Sequence, residues 1–167
     1  MPLHVHAAIA LGSNLGDRAA TLASATAAIA SLPLTSLVAQ SRLHETQPVV
    51  PVGHAASSAA QGPYLNACVR VATLLTPRGL LSGLLTIEQS HGRDRTREGR
   101  FGSRTLDLDV LLYGDVTLRD EVNTPHLVLP HPRLHERLFA LEPLAQVWPD
   151  ARVHGTSVQE LIARLRG

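Results

Sequence analysis

The chain has 167 residues, enough for one domain with a sizeable hydrophobic core, and we expect residues 1–167 to form a single domain. Hydrophobic residues make up 44% and charged residues 17%, which argues against a disordered tail or binding arm. The formal net charge of +1 supplies no global field that would attract nucleic acid or a membrane, so any basic site has to be local.

The first half of the chain predicts a strand, a helix and a second strand before a long loop. Residues 5–11 are a short apolar run that leads into a Gly-Ser-Asn turn, which indicates a buried strand and not a signal peptide. Residues 17–32 are Ala-rich and amphipathic, and Pro33 ends this predicted helix. Residues 34–43 alternate as a strand does. Residues 45–63 are rich in Pro, Gly, Ala and Ser, and loops of that length are often functional.

The second half repeats strand, helix and strand and then becomes helical. The predicted segments are a strand over 64–75, a helix over 77–91, a charged loop over 93–103, a strand over 105–113, and helices over 133–144 and 157–166. Thr76 is the predicted N-cap of the helix over 77–91, with Pro77 at its first position. The order βαββαβ is that of ferredoxin-like folds. We therefore predict an α+β fold with an antiparallel sheet, helices on one face of it and a C-terminal helical extension.

The cysteine count and the hydropathy of the chain limit the cellular compartment and the kinds of partner that we expect. Cys68 is the only cysteine, which excludes an internal disulfide and a cysteine-rich zinc site and is compatible with a reducing cytoplasm, where we expect the protein. No stretch approaches the roughly 20 apolar residues of a membrane span. We expect a monomer with small-molecule substrates and with neither nucleic acid nor membrane as a partner.

Two aspartates in the last predicted strand are the sharpest local feature. Asp is disfavoured in strands, yet residues 106–110 read LDLDV. Residues two apart point to the same face, which puts Asp107 and Asp109 roughly 6.5–7 Å apart at the backbone. Mg²⁺ is held by one or two carboxylates together with water and phosphate oxygens. For an isolated Asp-x-Asp, however, a solvated sheet face is the commoner interpretation.

Arginines in the preceding loop favour phosphate chemistry. They are Arg93, Arg95, Arg97, Arg100 and Arg104. All 15 basic residues of the chain are Arg, so a Walker-type loop and Schiff-base chemistry, which both need Lys, are excluded. Guanidinium groups beside a two-carboxylate metal site are typical of phosphoryl transfer. The alternative is that some of these arginines only pair with Asp94 and Glu98; we expect two or three of them to contact phosphate.

The segment that joins this loop to the acidic strand resembles a family signature. Residues 100–111, RFGSRTLDLDVL, are similar to the signature of 6-hydroxymethyl-7,8-dihydropterin pyrophosphokinases. Further similar segments, in family order, are 10–16 (ALGSNLG), 45–48 (ETQP), 64–67 (YLNA) and 129–133 (LPHPR). The resemblance implies a ferredoxin-like enzyme of folate biosynthesis. Such an enzyme binds ATP with two Mg²⁺ ions, transfers pyrophosphate to the pterin hydroxymethyl group and releases AMP.

The same resemblance implies roles for individual residues. Asp107 and Asp109 match the ligands of both Mg²⁺ ions, and Arg93 and Arg104 match arginines that contact the triphosphate and assist transfer. The residues at nucleotide-binding positions are Glu88, Arg93, Arg95, Arg104, His131 and Arg137. The residues at pterin-binding positions are Thr46, Gln47, Tyr64, Asn66 and Phe139, of which the two aromatics stack on the pterin and the amide reads its edge. Without the resemblance, both aromatics are more simply interpreted as core residues.

Three further hypotheses stay open at this point. The loops 45–63 and 93–104 are expected to fold over the substrates and exclude water. An RNA-binding module shares the element order, and residues 99–102 (GRFG) faintly resemble an RNA-contact motif, although aromatic residues make up only 3% of the chain. A metal-dependent phosphate-ester hydrolase would use the same carboxylates with water as nucleophile. His4 and His6 form an i, i+2 pair that lacks the further ligands of a zinc site.

Overall fold

A computed structural model of the protein describes residues 2–47, 62–92 and 105–167. Its helices are α1 (Arg18–Ala30), α2 (Pro77–Ser90), α3 (Leu138–Val147) and α4 (Val158–Arg166), with a 3-10 turn at Leu134–Glu136. Its strands are β1 (Val5–Ser13), β2 (Thr35–Gln40), β3 (His44–Thr46), β4 (Tyr64–Thr73), β5 (Asp107–Tyr113), β6 (Leu118–Asp120), β7 (Leu127–Leu129), β8 (Arg152–Val153) and β9 (Thr156–Ser157). None of these helices combines the length and the hydrophobicity that a membrane span requires.

The main sheet has the antiparallel arrangement that the element order predicts. Its strands lie in the order β2-β4-β1-β5, and β3 pairs with the end of β4 beyond β2. The predicted loop over 45–63 is therefore wrong at its start, because Glu45 and Thr46 belong to β3. The long strand β4 leaves backbone groups beyond β2 that need partners, and the three residues of β3 supply them.

Helices cover both faces of the sheet, which corrects the expectation of helices on one face. On the first face, Ile9 packs with Leu22 of α1 and Leu84 of α2 in one core. On the second face, Ala8 packs with Leu141 of α3 in another core, to which α4 also contributes. The reason is visible in β1, whose residues are buried on both sides, so each face needs apolar cover.

A register shift in β5 separates its acidic half from its apolar half. Ala8 pairs with Leu112 and Ile9 pairs with Val110, so the β1–β5 ladder skips Leu111. Before the shift, Leu108 and Val110 face the first core, as the alternation predicts. After it, the consecutive Leu111 and Leu112 both join the second core. The shift thus lets one strand place carboxylates on the second face and still anchor that face with two leucines.

Side-chain caps set where the helices begin. The predicted N-cap Thr76 is confirmed, since its Oγ1 accepts from Gly79 N at 3.0 Å, with Pro77 as the first helical residue. The predicted helix over 133–144 is instead a 3-10 turn followed by α3, because Arg137 is extended (φ −121°, ψ 96°). The hairpins β6–β7 and β8–β9 were not predicted, because strands of two or three residues are too short to show an alternation of apolar and polar residues.

Candidate active site

One row of residues across the second face brings the predicted acidic and amide groups together. Gly12 of β1 pairs with Asn66 of β4 on one side and with Asp107 of β5 on the other. Because paired strands lie about 5 Å apart, Asp107 and Asn66 are separated by about 10 Å at their Cα atoms. Asp109 lies two residues further along β5, where it pairs with Ala10 of β1. The small residues Gly12 and Ala10 therefore form a shallow floor between the carboxylates and the amide.

Close approach explains the glycine at the centre of this row. A Cβ added at Gly12 would lie 3.3 Å from Asn66 Oδ1 and 3.8 Å from Tyr64 Cδ1. Such a contact is tighter than ordinary van der Waals packing, so with a Cβ at position 12 the amide would have to shift by a few tenths of an ångström. The predicted Gly-Ser-Asn turn is wrong at its start, because Gly12 and Ser13 belong to β1 and pair with β4.

The amide of Asn66 is held in one orientation by β3. Its Nδ2 donates to Thr46 Oγ1 at 2.6 Å and, more weakly, to His44 O at 3.5 Å. The side chain is buried, and Thr46 is paired with Tyr64 in the β3–β4 ladder. The structure therefore brings together three of the residues predicted to bind pterin. Gln47, the fourth, is the exposed residue that follows β3.

The fifth predicted pterin residue, Phe139, lies on α3. It is half-buried at the edge of the second core, with Arg137 Cζ 5.5 Å from its ring centroid. Tyr64 is also half-buried, so both rings keep exposed surface. This partial exposure differs from the full burial of a core aromatic and leaves each ring able to stack on a ligand.

Two basic side chains from the segment after β7 lie near the carboxylates. His131 N donates to Leu111 O at 2.9 Å, which ties this segment to β5. The pKa of His131 is lowered to about 4, mainly by burial and further by the charge of Arg137, while Asp107 opposes this shift. At neutral pH the imidazole is therefore uncharged, and it offers hydrogen bonds without a positive charge.

Arg137 supplies the positive charge in this part of the site. Burial and, to a smaller extent, Arg133 lower the pKa of its guanidinium, while Asp109 and Asp107 raise it. The guanidinium still stays charged at any physiological pH. A half-buried cation beside two carboxylates partly offsets their mutual repulsion and is placed to meet an anionic ligand bound over them.

Glu88 lies in an unexpected place for a nucleotide-binding residue. It is on α2, only 2% exposed, and its Oε2 accepts from Leu108 N at 2.8 Å. Leu108 stands between the two aspartates, so Glu88 holds the main chain that carries them. The sequence offered little signal for this contact, because it joins residues 20 positions apart on two elements. The predicted contact of Glu88 with a nucleotide stays a prediction.

Several predicted residues lie outside the described ranges. They are Arg93, Arg95, Arg97, Arg100 and Arg104, together with most of the loop 45–63 and all of the loop 93–104. Their predicted roles stay predictions.

The carboxylate pair fits a hard cation better than a zinc ion. Asp107 and Asp109 are half-buried and offer the oxygen ligands that Mg²⁺ takes in small number beside water and phosphate. Within residues 2–47, 62–92 and 105–167, no group of three His, Cys, Asp or Glu residues could hold a metal. In the His4–His6 pair, His6 Nδ1 accepts a hydrogen bond from Arg70 Nε at 3.0 Å.

Comparisons with known proteins identify the family of this chain. The family model for 7,8-dihydro-6-hydroxymethylpterin-pyrophosphokinase (HPPK) matches residues 8–149. A 2-amino-4-hydroxy-6-hydroxymethyldihydropteridine pyrophosphokinase from Methylorubrum extorquens is 42% identical over 157 residues, covering 94% of this chain and 91% of the relative. The enzyme of the same name from Bacillus subtilis is 39% identical over 151 residues, covering 90% of this chain and 83% of the relative.

A solved structure shares the fold at low identity. Wild-type HPPK-DHPS from Plasmodium falciparum, solved with pterin and p-hydroxybenzoate, superimposes with a TM-score of 0.73 at 15% identity. The match covers 96% of this chain but 43% of the Plasmodium chain, so the present chain spans less than half of that protein. The shared architecture and the family match over residues 8–149 lead to one conclusion: this chain belongs to the 7,8-dihydro-6-hydroxymethylpterin-pyrophosphokinase family.

Proposed function

We propose that this chain transfers pyrophosphate from ATP to the hydroxymethyl group of 6-hydroxymethyl-7,8-dihydropterin in folate biosynthesis. The products are the pterin diphosphate and AMP. The observation that carries the proposal is the row on the second sheet face, with Asp107 on one side of Gly12 and Asn66 on the other. The reaction is inferred from membership of the family. The row adds two separate chemical environments for the two substrates, an amide on one side and carboxylates on the other.

The pterin binds at the Asn66 side of the row. Asn66 presents Oδ1 towards Gly12, because its Nδ2 is bonded to Thr46, and this oxygen accepts from the pterin edge. Tyr64 and Phe139 stack on the two faces of the flat ring. Backbone groups of Thr46 and Gln47 complete the polar contacts. The absence of a side chain at Gly12 leaves room for the ring over β1.

The triphosphate binds at the carboxylate side. Asp107 and Asp109 would hold two Mg²⁺ ions, which when bound neutralise phosphate charge and polarise the phosphoryl group. Arg137 adds a fixed positive charge beside them, and neutral His131 donates a hydrogen bond to the nucleotide. The residues proposed to complete the nucleotide site are Glu88, Arg93, Arg95 and Arg104, with Arg93 and Arg104 also assisting transfer.

The reaction is an in-line displacement. The pterin hydroxyl oxygen forms a bond to the β-phosphorus, the bond from that phosphorus to the oxygen bridging to the α-phosphate breaks, and AMP leaves with the bridging oxygen. The hydroxyl proton passes to solvent. Positioning and charge neutralisation supply most of the rate in this chemistry, so the site needs no dedicated general base. The loops 45–63 and 93–104 fold over the substrates in this proposal.

We place the protein in the cytoplasm as a monomer made of one domain. The single cysteine, Cys68, is buried, and burial raises the pKa of its thiol well above its usual range, which keeps it protonated. An inert free thiol suits a reducing compartment. The sheet shared by the two cores supports treating the described residues as one folding unit.

The test is ATP consumption with Mg²⁺, with and without the pterin, in an assay that resolves AMP from ADP. We expect AMP only when the pterin is present. Asp107→Asn and Asp109→Asn should each lower the rate at least about 100-fold, as loss of a positioned charge in a transfer site does. Asp115→Asn is the matched control, because Asp115 is an exposed carboxylate in the turn after β5. ADP formation, or turnover without pterin, would favour the phosphate-ester hydrolase instead.

A further inference from the structure

Arg18, the first residue of α1, bridges the two segments that carry the proposed pterin site. Its Nη1 donates to Pro63 O at 2.8 Å, and its Nη2 donates to Glu45 Oε2 at 3.0 Å. Glu45 comes immediately before Thr46, and Pro63 comes immediately before Tyr64. The guanidinium of Arg18 therefore bonds the side chain of the residue before Thr46 and the main chain of the residue before Tyr64.

The strand pair that Arg18 bridges is weak without such support. β3 has three residues, and Thr46↔Tyr64 is the last pair in its ladder with β4. A ladder of that length is marginal, and its terminal pair frays most easily. Asn66 depends on the same pair, because its Nδ2 is bonded to Thr46 Oγ1. Fraying at this end would misplace the stacking ring and release the amide.

We propose that Arg18 is a positioning residue for the pterin, which it clamps into place by holding Thr46 and Tyr64 in register. This inference rests on the proposed function of the Asn66 side of the row. The planar fork of arginine reaches two acceptors at once, which the single ammonium of lysine cannot do with the same geometry. The side chains of Arg18 and Glu45 are 27% and 54% exposed, so the contact lies outside both cores and contributes little to global stability.

The topology confines the effect to one substrate. The contacts of Arg18 are with β3 and with the residue before β4, on one side of β1. The proposed triphosphate ligands Asp107 and Asp109 are on β5, on the other side of β1. Loss of the two Arg18 contacts should therefore weaken pterin binding and leave ATP binding unchanged.

The experiment compares Arg18→Gln with Arg18→Lys and Glu45→Gln, with Arg164→Gln as the matched control. Arg164 forms a comparable exposed ion pair with Glu160 on α4. Rates of AMP formation give the KM for each substrate at saturating levels of the other. We expect Arg18→Gln to raise the pterin KM about tenfold, as loss of a charge-assisted bond implies, with the ATP KM unchanged. Arg18→Lys and Glu45→Gln, which each keep one contact, should give smaller increases.

Two results would overturn the inference. One is a pterin KM that is unchanged in Arg18→Gln; the other is an equal rise in both KM values, which would indicate general disturbance of the fold. Titration of pterin fluorescence in the presence of a non-hydrolysable ATP analogue repeats the comparison without turnover. A wild-type protein that binds pterin but forms no AMP would refute the proposed reaction alone, while the ratio of pterin Kd values would still decide the role of Arg18.

Discussion

Replacing Glu88 by alanine should destabilise the protein, because it removes the buried hydrogen bond that Leu108 N donates to the carboxylate. The carboxylate is 2% exposed and accepts from Leu108 N at 2.8 Å. A buried donor that loses its acceptor costs about 1–3 kcal/mol, so we expect Glu88→Ala to lower the free energy of unfolding by about 2 kcal/mol. For a domain of this size that corresponds to a fall in Tm of about 4–8 °C.

The assay is thermal and urea unfolding of Glu88→Ala and Glu88→Gln beside wild type. Glutamine keeps an oxygen acceptor at nearly the same distance from the main chain. Glu88→Gln should therefore lose less than half of the stability that Glu88→Ala loses. Glu160→Ala removes an exposed carboxylate from α4 and serves as the control, with a Tm close to wild type.

Kinetics separate the strand-holding role of Glu88 from the predicted nucleotide contact. If the carboxylate mainly holds Leu108, and with it the two aspartates, Glu88→Gln should keep most activity and stability. A variant with wild-type Tm and a strongly raised ATP KM would refute the strand-holding argument and support direct contact with the nucleotide.

Three further outcomes follow from single contacts. Gly12→Ala should raise the pterin KM about fivefold, roughly 1 kcal/mol, because its Cβ would lie 3.3 Å from Asn66 Oδ1; an unchanged KM in the AMP assay would show that the amide has room to move. Hydrogen bonds from Arg78 and, to a smaller extent, from Asn123 lower the pKa of Asp120 from 3.8 to about 2, so these contacts stabilise the fold above pH 3.8 and are lost as the pH falls towards 2. The Tm difference between wild type and Asp120→Asn should therefore shrink over that interval, and a constant difference would contradict this. Leu141→Ala should cost about 2–5 kcal/mol in one cooperative urea transition, whereas two transitions would show that the second core unfolds separately.

The local patterns of the sequence were sufficient to predict most strands of the main sheet. A short apolar run predicts β1, and alternation predicts β2, β4 and β5, because both patterns are properties of each strand alone. The same period puts Asp107 and Asp109 on one face without reference to any other residue. Thr76 and Pro77 likewise predict the start of α2, since a helix cap depends on its next few residues only.

The other half of the site depends on which strands become neighbours. Strand order puts Gly12 between Asn66 and Asp107, and no local period contains that information. The bond from Arg18 to Pro63 joins residues 45 positions apart, and the bond from Leu108 to Glu88 joins residues 20 positions apart. Residues of such separation meet only after the chain has folded.

The sequence by itself therefore determined the strand pattern, the acidic pair and the family resemblance. Only the tertiary structure decided that α3 and α4 cover the second face, that residues 44–46 pair with β4, and that α1 and α2 each contribute a polar side chain to main-chain positions beside the site. The physical reason is that periodicity and capping act over a few residues, whereas face coverage, strand order and side-chain bonds to distant backbone are properties of the packed chain.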